Sequence, residues 1–390
     1  MGEECKLEIR EAHSRSNRKR WVRFAGTHYS NHPFYVPQLF VDELAYFDPK
    51  KNPIFDVAQV RLFLALAEGR VVGRICGIIN PLEEEKLGRK VVRFGWFESI
   101  DDQDVADLLL DTVEEWARTE GCVEMTGPQG FSDLDPGGIL IEGFDQIPTI
   151  SGSYHYPYYG SLLERYGLDK YVDYVEYRAD ISDPVPFLER LRKRVTGAGP
   201  YAVCSCESRK ALLAEVDDIW QVLDRSFEPL LGVVPLTKAQ TRFYTKKYLS
   251  YLDPDFVKCV YDPSGELVGF FIGIPNLSDS FRKVGGRLFP FGWFHILREY
   301  RKPHTVDFLL AGALPEVTSK ILTAIGLIQM YDSLRERGVQ YLETNRELET
   351  NTSVNRIWRR FNVVSSRRTR VYRMSLEGRG QATRTAHSSS

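Results

Sequence analysis

The sequence predicts an α/β protein of two tandem halves, each a mixed β-sheet with helices on its faces. Three observations carry this. A twelve-residue phrase occurs twice: Gly69-Arg70-Val71-Val72-Gly73-Arg74-Ile75-Cys76-Gly77-Ile78-Ile79-Asn80 and Gly265-Glu266-Leu267-Val268-Gly269-Phe270-Phe271-Ile272-Gly273-Ile274-Pro275-Asn276 share Gly, Val, Gly, Gly, Ile and Asn at the same six offsets. Each copy follows an apolar run and a turn cluster, Glu68-Gly69-Arg70 or Asp262-Pro263-Ser264-Gly265, so each reads as a β-hairpin. Around each hairpin the chain repeats one order, helix, hairpin, strand, helix, strand, helix, strand, which is that of a mixed sheet built twice.

Taken in order, residues 1–60 carry a basic cluster (Arg15, Arg18, Lys19, Arg20, Arg23), then the aromatic run His32-Pro33-Phe34-Tyr35-Val36-Pro37. Asn52-Pro53-Ile54-Phe55 leads into the first hairpin, and an acidic bend (Glu83, Glu84, Glu85) separates it from the strand Val91 to Phe97. Ser99 and Asp101-Asp102 are caps for a helix whose Val105, Leu108, Leu109, Val113, Trp116 and Ala117 form one apolar stripe, ended by Gly121. A strand at Val123 to Thr126 is broken by Gly127-Pro128, and a long loop, a short helix from Gly160 and a β-like run from Tyr171 complete a first half, 1–180. Residues 181–194 are predicted as linker with basic helical character. The second half, 195–375, repeats the order, with strands at Val306–Leu310 and Val339–Thr344, and the Gly/Ser/Thr/Arg-rich tail 376–390 is predicted disordered.

Composition removes several function classes. A net charge of −2 gives no global field for nucleic acid. No run of apolar residues is long enough for a spanning helix, and no apolar segment follows the N-terminal charges, so a cytoplasmic location is expected, with peripheral membrane contact as the alternative. Cysteines 5, 76, 122, 204, 206 and 259 lack zinc spacing, and neither a metal nor disulfides are expected.

The run Asn52-Pro53-Ile54-Phe55, Phe63-Leu64-Ala65, Gly73-Arg74-Ile75 and Ile78-Ile79-Asn80, with Phe94-Gly95-Trp96-Phe97-Glu98, Gly143-Phe144-Asp145 and Tyr158-Tyr159, resembles a bacterial group of two-domain GNAT-like N-acetyltransferases. That group is related to the bacterial ceramide-synthase-type N-acyltransferases. The resemblance spans about residues 5–375. It implies a tandem of GNAT-like (acyl-CoA N-acyltransferase) sheets and an acyl-CoA or acetyl-CoA co-substrate. The co-substrate would lie where the fourth and fifth strands of a half splay apart, its pyrophosphate at the N-terminus of the next helix. An amine then attacks the thioester while a general base takes its proton.

Carried onto the second half, the resemblance places Leu310, Ala311 and Ala313 along the donor, with Ser319 and Lys320 meeting its phosphates. The glycine turn the family pattern has after Pro315 is absent: Thr318, Ser319, Lys320 and Ile321 stand there. In the first half, Glu98-Ser99-Ile100-Asp101-Asp102 is acidic where phosphate would sit, so that half is expected to bind no CoA. Glu343 is the candidate base, with Asn345 expected on the same strand face. Glu349 and Asn351 are orienting groups, or Asn351 is only a helix cap. Trp358 occupies the place of the family's tyrosine acid. His155, Tyr158 and Tyr159 are candidate acceptor contacts, against the alternative that they are packed. Between the second hairpin and its next strand, the basic and aromatic stretch 281–302, with Trp293 at its centre, reads as a lipid interface or tunnel rim, or else as packing over the sheet.

The function these observations predict is transfer of an acyl group from a CoA or acyl-carrier-protein thioester to an amine, of small-molecule or lipid-like kind. The competing reading is a non-catalytic GNAT-derived binding protein. A thioester-induced shift in melting temperature separates them, and the acyltransferase reading requires that the strands at Leu310 and Leu342 diverge.

Overall fold

The computed structural model describes residues 6–195, 201–230, 232–286, 292–317 and 320–378. The first half contributes β1 (Leu7–Glu11), α1 (Arg15–His28), α2 (Phe40–Tyr46), β2 (Gln59–Ala67), β3 (Arg70–Ile79), α3 (Pro81–Leu87), β4 (Val91–Ser99), α4 (Gln103–Thr119), β5 (Glu124–Gly127), β6 (Ile139–Glu142), α5 (Tyr158–Tyr166) and β7 (Asp169–Asp180). After α6 (Pro186–Val195) come β8 (Ala202–Ser205), α7 (Arg209–Phe227), α8 (Lys238–Leu249), β9 (Val257–Tyr261), β10 (Leu267–Pro275), α9 (Ser278–Val284) and α10 (Gly292–Arg301). The chain closes with β11 (Thr305–Ala313), α11 (Lys320–Glu336), β12 (Tyr341–Thr344), β13 (Glu347–Leu348), α12 (Thr352–Trp358) and β14 (Asn362–Ser375).

The repeated phrase forms the second strand of each hairpin, β3 and β10, and its recurring glycines have separate duties. Gly69 (φ 77°) and Gly265 (φ 86°) take left-handed turn conformations. Gly73 and Gly269 bring the sheet close to a helix: a Cβ on Gly73 would lie 2.7 Å from Leu109 Cδ1 of α4, and one on Gly269 would lie 3.2 Å from Leu322 Cδ2 of α11. The two halves therefore stack equivalent helices on equivalent strands, over separate apolar cores.

One sheet runs through the whole molecule, in the order β1-β2-β3-β4-β5-β14-β7-β12-β11-β10-β9-β8. The halves exchange their closing strands. β7 pairs with β12 of the second half (Tyr341 with Asp180, Leu342 with Ala179, Glu343 with Arg178), and β14 pairs with β5 of the first (Tyr372 with Gly127, Ser375 with Glu124). β7 and β14 also pair with one another along most of their length. The stretch 181–194 is largely α6, whose Leu188 is buried in the second-half core. In the tail, Leu376 is buried and its N–H bonds Val123 O at 2.8 Å, so chain order persists past the sequence-expected end. Residues 379–390 lie outside the described set.

Candidate active site

In the second half β11 and β12 pair in parallel through Thr305–Tyr341, Val306–Leu342, Asp307–Glu343 and Phe308–Thr344. The Asn345 backbone N–H then bonds Phe308 O at 3.1 Å, and its side-chain amide bonds Leu309 O at 3.2 Å. From there the strands part. β11 continues to Ala313 against β10, while Glu347 and Leu348 turn to pair with Val175 and Tyr174 of β7. Among the described residues the outer backbone edge of β11 from Leu310 to Gly312 has no strand partner. The divergence anticipated at Leu310 is present. It starts three residues after Leu342, which is itself paired.

The opening is a cavity of about 220 Å³ lined by Phe308, Leu310, Ala311, Glu347, Asn351 and Trp358. It adjoins a larger one of about 970 Å³, with which it shares Leu310, Phe227, Val233 and Asp133. Phe227 ends α7, Val233 lies in the α7–α8 connection, and Asp133 is contributed by the first half. Ala313 ends the open strand, and α11 starts at Lys320 beyond it. Ser319 lies outside the described residues, as does the side chain of Lys320.

Two carboxyl groups face this space, and sequence reasoning selected neither. Glu347 accepts a hydrogen bond from Trp358 Nε1 at 3.3 Å, and burial pushes its pKa up to about 7. Asp133 is also raised by burial, which the nearby Arg93 and Arg346 oppose. Arg346 is held by the backbone, donating to Asp133 O at 3.1 Å and to Asp135 O at 2.5 Å. Asn351 caps α12, its side-chain oxygen accepting from the Val354 N–H at 3.4 Å and the Ser353 hydroxyl at 3.0 Å. Glu349 is elsewhere, paired with Lys170 of β7 at 2.7 Å.

Glu343 opens into a different cavity, of about 260 Å³, among Asp145, Glu176, Arg178 and Arg367. Its carboxylate pairs with Arg178 and receives the Asn276 amide at 3.4 Å, while the same amide donates to Asp307 at 2.7 Å. Burial and the neighbouring Glu343 push Asp307 well above the usual carboxylate range, and Glu343 is raised as well, chiefly by burial. The expectation that Asn345 would share Glu343's surroundings fails because β12 ends at Thr344. Asn345 lines the slot, and Glu343 does not. Asn276 closes the repeated phrase; its counterpart Asn80 also caps the following turn, accepting from Leu82 N at 3.0 Å, but faces no carboxyl pair.

The first half has the same strand divergence and fills it. β4 and β5 pair through Val91–Glu124 to Arg93–Thr126, and Gln129 N then bonds Phe94 O at 2.8 Å. The following loop packs on the β4 edge, with Trp96 and Phe131 in contact (ring centroids 4.8 Å apart). Asp102 caps α4, accepting from Asp104 N and Val105 N, so a protein carboxylate already sits where that helix would meet a phosphate. His155, Tyr158 and Tyr159 are packed away from the second-half slot. His155 is buried, accepts from Leu140 N at 3.2 Å, and is pushed down to about 3 by burial. The Tyr158 and Tyr159 hydroxyls each lie 3.1 Å from the Nε2 of His28, which no sequence pattern singles out. Trp293 stands on the surface of α10, half-exposed, and touches none of these cavities.

No family model matches the chain. It is 30% identical over 281 residues to the bacterial ceramide synthase of Caulobacter vibrioides, covering 72% of each chain. It is 26% identical over 375 residues to protein YghO of Escherichia coli, covering 94% of this chain and 95% of that one. Among solved structures it superposes on a tandem GNAT protein from the clavulanic acid biosynthesis pathway with a TM-score of 0.56 at 12% identity, over 95% of this chain and 99% of that one. A probable N-acyltransferase from Enterococcus faecalis gives a TM-score of 0.52 at 9% identity, over 95% and 73% of the two chains. These likenesses carry the fold: two GNAT units in tandem.

Proposed function

This chain belongs to the tandem GNAT family that includes the bacterial ceramide synthase, and on that premise we propose that it is an N-acyltransferase. It takes an acyl group from a CoA or acyl-carrier-protein thioester and delivers it to the amine of a long-chain, lipid-like acceptor. The observation that carries this is the unpaired β11 edge from Leu310 to Gly312 beside an apolar cavity. A backbone edge without a partner must satisfy its amides and carbonyls elsewhere, and the two amides of a pantetheine arm are suited to it. The start of α11 supplies the positive helix end for the pyrophosphate. The relative's name supports the acceptor class, since ceramide is an N-acylated long-chain amino alcohol, and the adjoining 970 Å³ offers room for an alkyl chain.

In this reading Glu347 is the base. Its pKa of about 7 leaves it part ionised near neutrality while still able to take a proton from the attacking amine. The amine nitrogen forms the new C–N bond at the thioester carbonyl, Glu347 takes the proton the nitrogen sheds, and the C–S bond breaks with departure of the thiolate. The thiolate then takes a proton from the Glu347 acid or from water. Trp358 holds Glu347 by its N–H and gives up no proton of its own. Glu343 stays a candidate only through its carboxyl pair with Asp307, in a cavity separate from the slot.

The test is turnover of a long-chain acyl-CoA and a long-chain amino alcohol followed by mass, with thioester binding read from the melting temperature. Glu347→Gln is expected to lose turnover by about a hundredfold or more and keep the thioester-induced shift. If Glu343→Gln is the inactive variant and Glu347→Gln is active, the base assignment is overturned. A wild-type protein that is stabilised by thioesters yet acylates nothing would be a binding protein instead.

A further inference from the structure

We propose that the outer face of α10 docks on an anionic membrane surface, and that docking turns the apolar cavity system toward the bilayer. The second clause rests on the acyl-transfer reading above; the first does not. α10 is fixed to the protein along its inner side: Ile296 and Tyr300 pack on a buried apolar cluster, and the Tyr300 hydroxyl donates to Leu252 O at 2.8 Å. Its one acidic residue, Glu299, is turned inward to accept the Ser280 N–H at 3.0 Å. What faces out is Trp293 (49% exposed), Phe294 (56%) and Leu297 (37%), three of the seven exposed large apolar side chains among the described residues. At about 100° per residue, Arg301 falls between Leu297 and Phe294 on that face and Arg298 at its edge. Lys302 and Lys283 are also exposed close by in sequence.

A helix face of rings bordered by cations, with its only carboxylate withdrawn, matches a surface that is apolar within and phosphate-bearing at its rim. At ten residues α10 is too short to cross a bilayer, and no helix among the described residues is long and apolar enough to do so. A folded protein partner fits less well. Half-exposed rings offer on the order of 100 Å² each, far below the roughly 1,200 Å² of a stable interface. A bilayer requires no matching shape.

The place of this face gives it a purpose. The α9–α10 segment is anchored to the first half, where Arg282 bonds Pro33 O and the Phe40 N–H bonds Gly286 O at 3.3 Å. Phe281 of α9 also lines a fourth cavity, of about 710 Å³, whose walls include Leu39, Tyr46, Phe243 and Tyr251 beside the charged Asp42, Glu43 and Lys247. This cavity and the 970 Å³ one share Leu134 in their walls, which sets the two side by side between the open β11 edge and α9. Val41, 75% exposed and two residues along from Leu39, adds an apolar group near this end. In this proposal an acceptor with an alkyl chain leaves the bilayer beside α9 and enters there.

Vesicles test the docking. Full-length protein is sedimented with phosphatidylglycerol–phosphatidylethanolamine vesicles and with phosphatidylcholine vesicles alone. Binding is expected to the anionic vesicles, to fall with added salt, and to drop by about tenfold or more in Phe294→Ser/Leu297→Ser. Arg298→Glu/Arg301→Glu should remove the preference for anionic lipid, and Trp293 emission should shift blue on binding, a shift absent in Trp293→Phe. All these positions are exposed, so melting temperatures should stay at the wild-type value. Docking is refuted if the apolar variant sediments as wild type, if the protein ignores anionic vesicles, or if the variants instead lose self-association or capture of an acidic acyl-carrier protein. Turnover of a detergent-dispersed long-chain amino alcohol without vesicles separates the two readings. Its absence in wild type sinks acyl transfer and leaves docking standing. Its persistence in the apolar variant, with loss only for a vesicle-borne amine, is the result expected of membrane entry. Equal use of the vesicle-borne amine by variant and wild type overturns membrane entry.

Discussion

Glu347→Gln should raise stability in a pH-dependent way while it lowers activity, and the size follows from the fold. An ordinary glutamate loses its proton near 4.5, but Glu347 keeps it to about 7, because the cavity wall of Phe308, Leu310 and Trp358 withholds water from the charge. The folded-state value is raised, so the unfolded chain releases the proton first, and stability falls as pH rises from the unfolded value through the folded one. For a single group with these two values, about 2 kcal/mol should be lost between pH ~5.5 and ~8.5. Glutamine carries no charge and still accepts from Trp358 Nε1. The stability difference between Glu347→Gln and wild type should therefore grow by about 2 kcal/mol in favour of the variant across that interval. Urea unfolding at several pH values measures it. The wild-type kcat/KM should rise with pH through about 7. A difference that is flat with pH would mean that Glu347 is solvated, and the assignment of the base would fall with it.

Other outcomes follow from neighbouring parts of the structure. Ala311→Trp places an indole in the 220 Å³ slot and should abolish both thioester-induced stabilisation and turnover, at a cost in stability of about 1–3 kcal/mol; retained thioester binding would place the donor elsewhere. Glu83→Gln removes the bidentate partner of Arg93, which is buried and left with Gly232 O, and should cost about 3–5 kcal/mol in denaturant unfolding. A loss under ~1 kcal/mol would show the Arg93 charge to be hydrated. His155, pushed down to about 3 by burial, stays neutral in the fold while the unfolded chain protonates near 6.5, so about 2 kcal/mol should be lost as pH falls from ~7 to ~5. His155→Gln should flatten that part of the acid limb and leave the activity profile near pH 7 unmoved.

The sequence made local structure legible wherever the cause was local. The two hairpins were read from turn glycines flanked by β-branched runs. α4 was read from its apolar stripe and from Asp102, which does cap it. The slot was legible as a strand, a helix and a strand in the right order. What stayed hidden depends on contacts far apart in the chain. The exchange of β7 and β14 joins residues on opposite sides of α6, and no local pattern states which sheet a closing strand will enter. Glu347 looked like one of several surface carboxylates in the run from Glu343 to Glu349. Its distinction comes from β13 turning onto β7, which carries it under Trp358. Asp133 comes from the other half altogether. Asn276 did leave a signal, since it recurs with Asn80. Its second use, toward Asp307 and Glu343, exists only in the folded second half.

Why one half keeps an open edge and the other does not can be traced to a few residues. In each half the last parallel contact is a backbone bond to a phenylalanine carbonyl: Gln129 N to Phe94 O, and Asn345 N to Phe308 O. The residue after Phe94 is Gly95, where a Cβ would lie 2.3 Å from Gln129 O. Only a residue without a side chain lets the loop lie that close, and the loop then brings Phe131 against Trp96 and covers the edge. After Phe308 the chain has Leu309, whose side chain is buried in the core, and Asn345 reaches its carbonyl with a side-chain amide instead. The backbone beyond Asn345 is then drawn off to β7 by the Glu347–Val175 and Leu348–Tyr174 pairs. Strand exchange and the open slot are thus connected: the donated β7 gives the departing chain somewhere to pair, and the gap beside Leu310 is what that departure leaves.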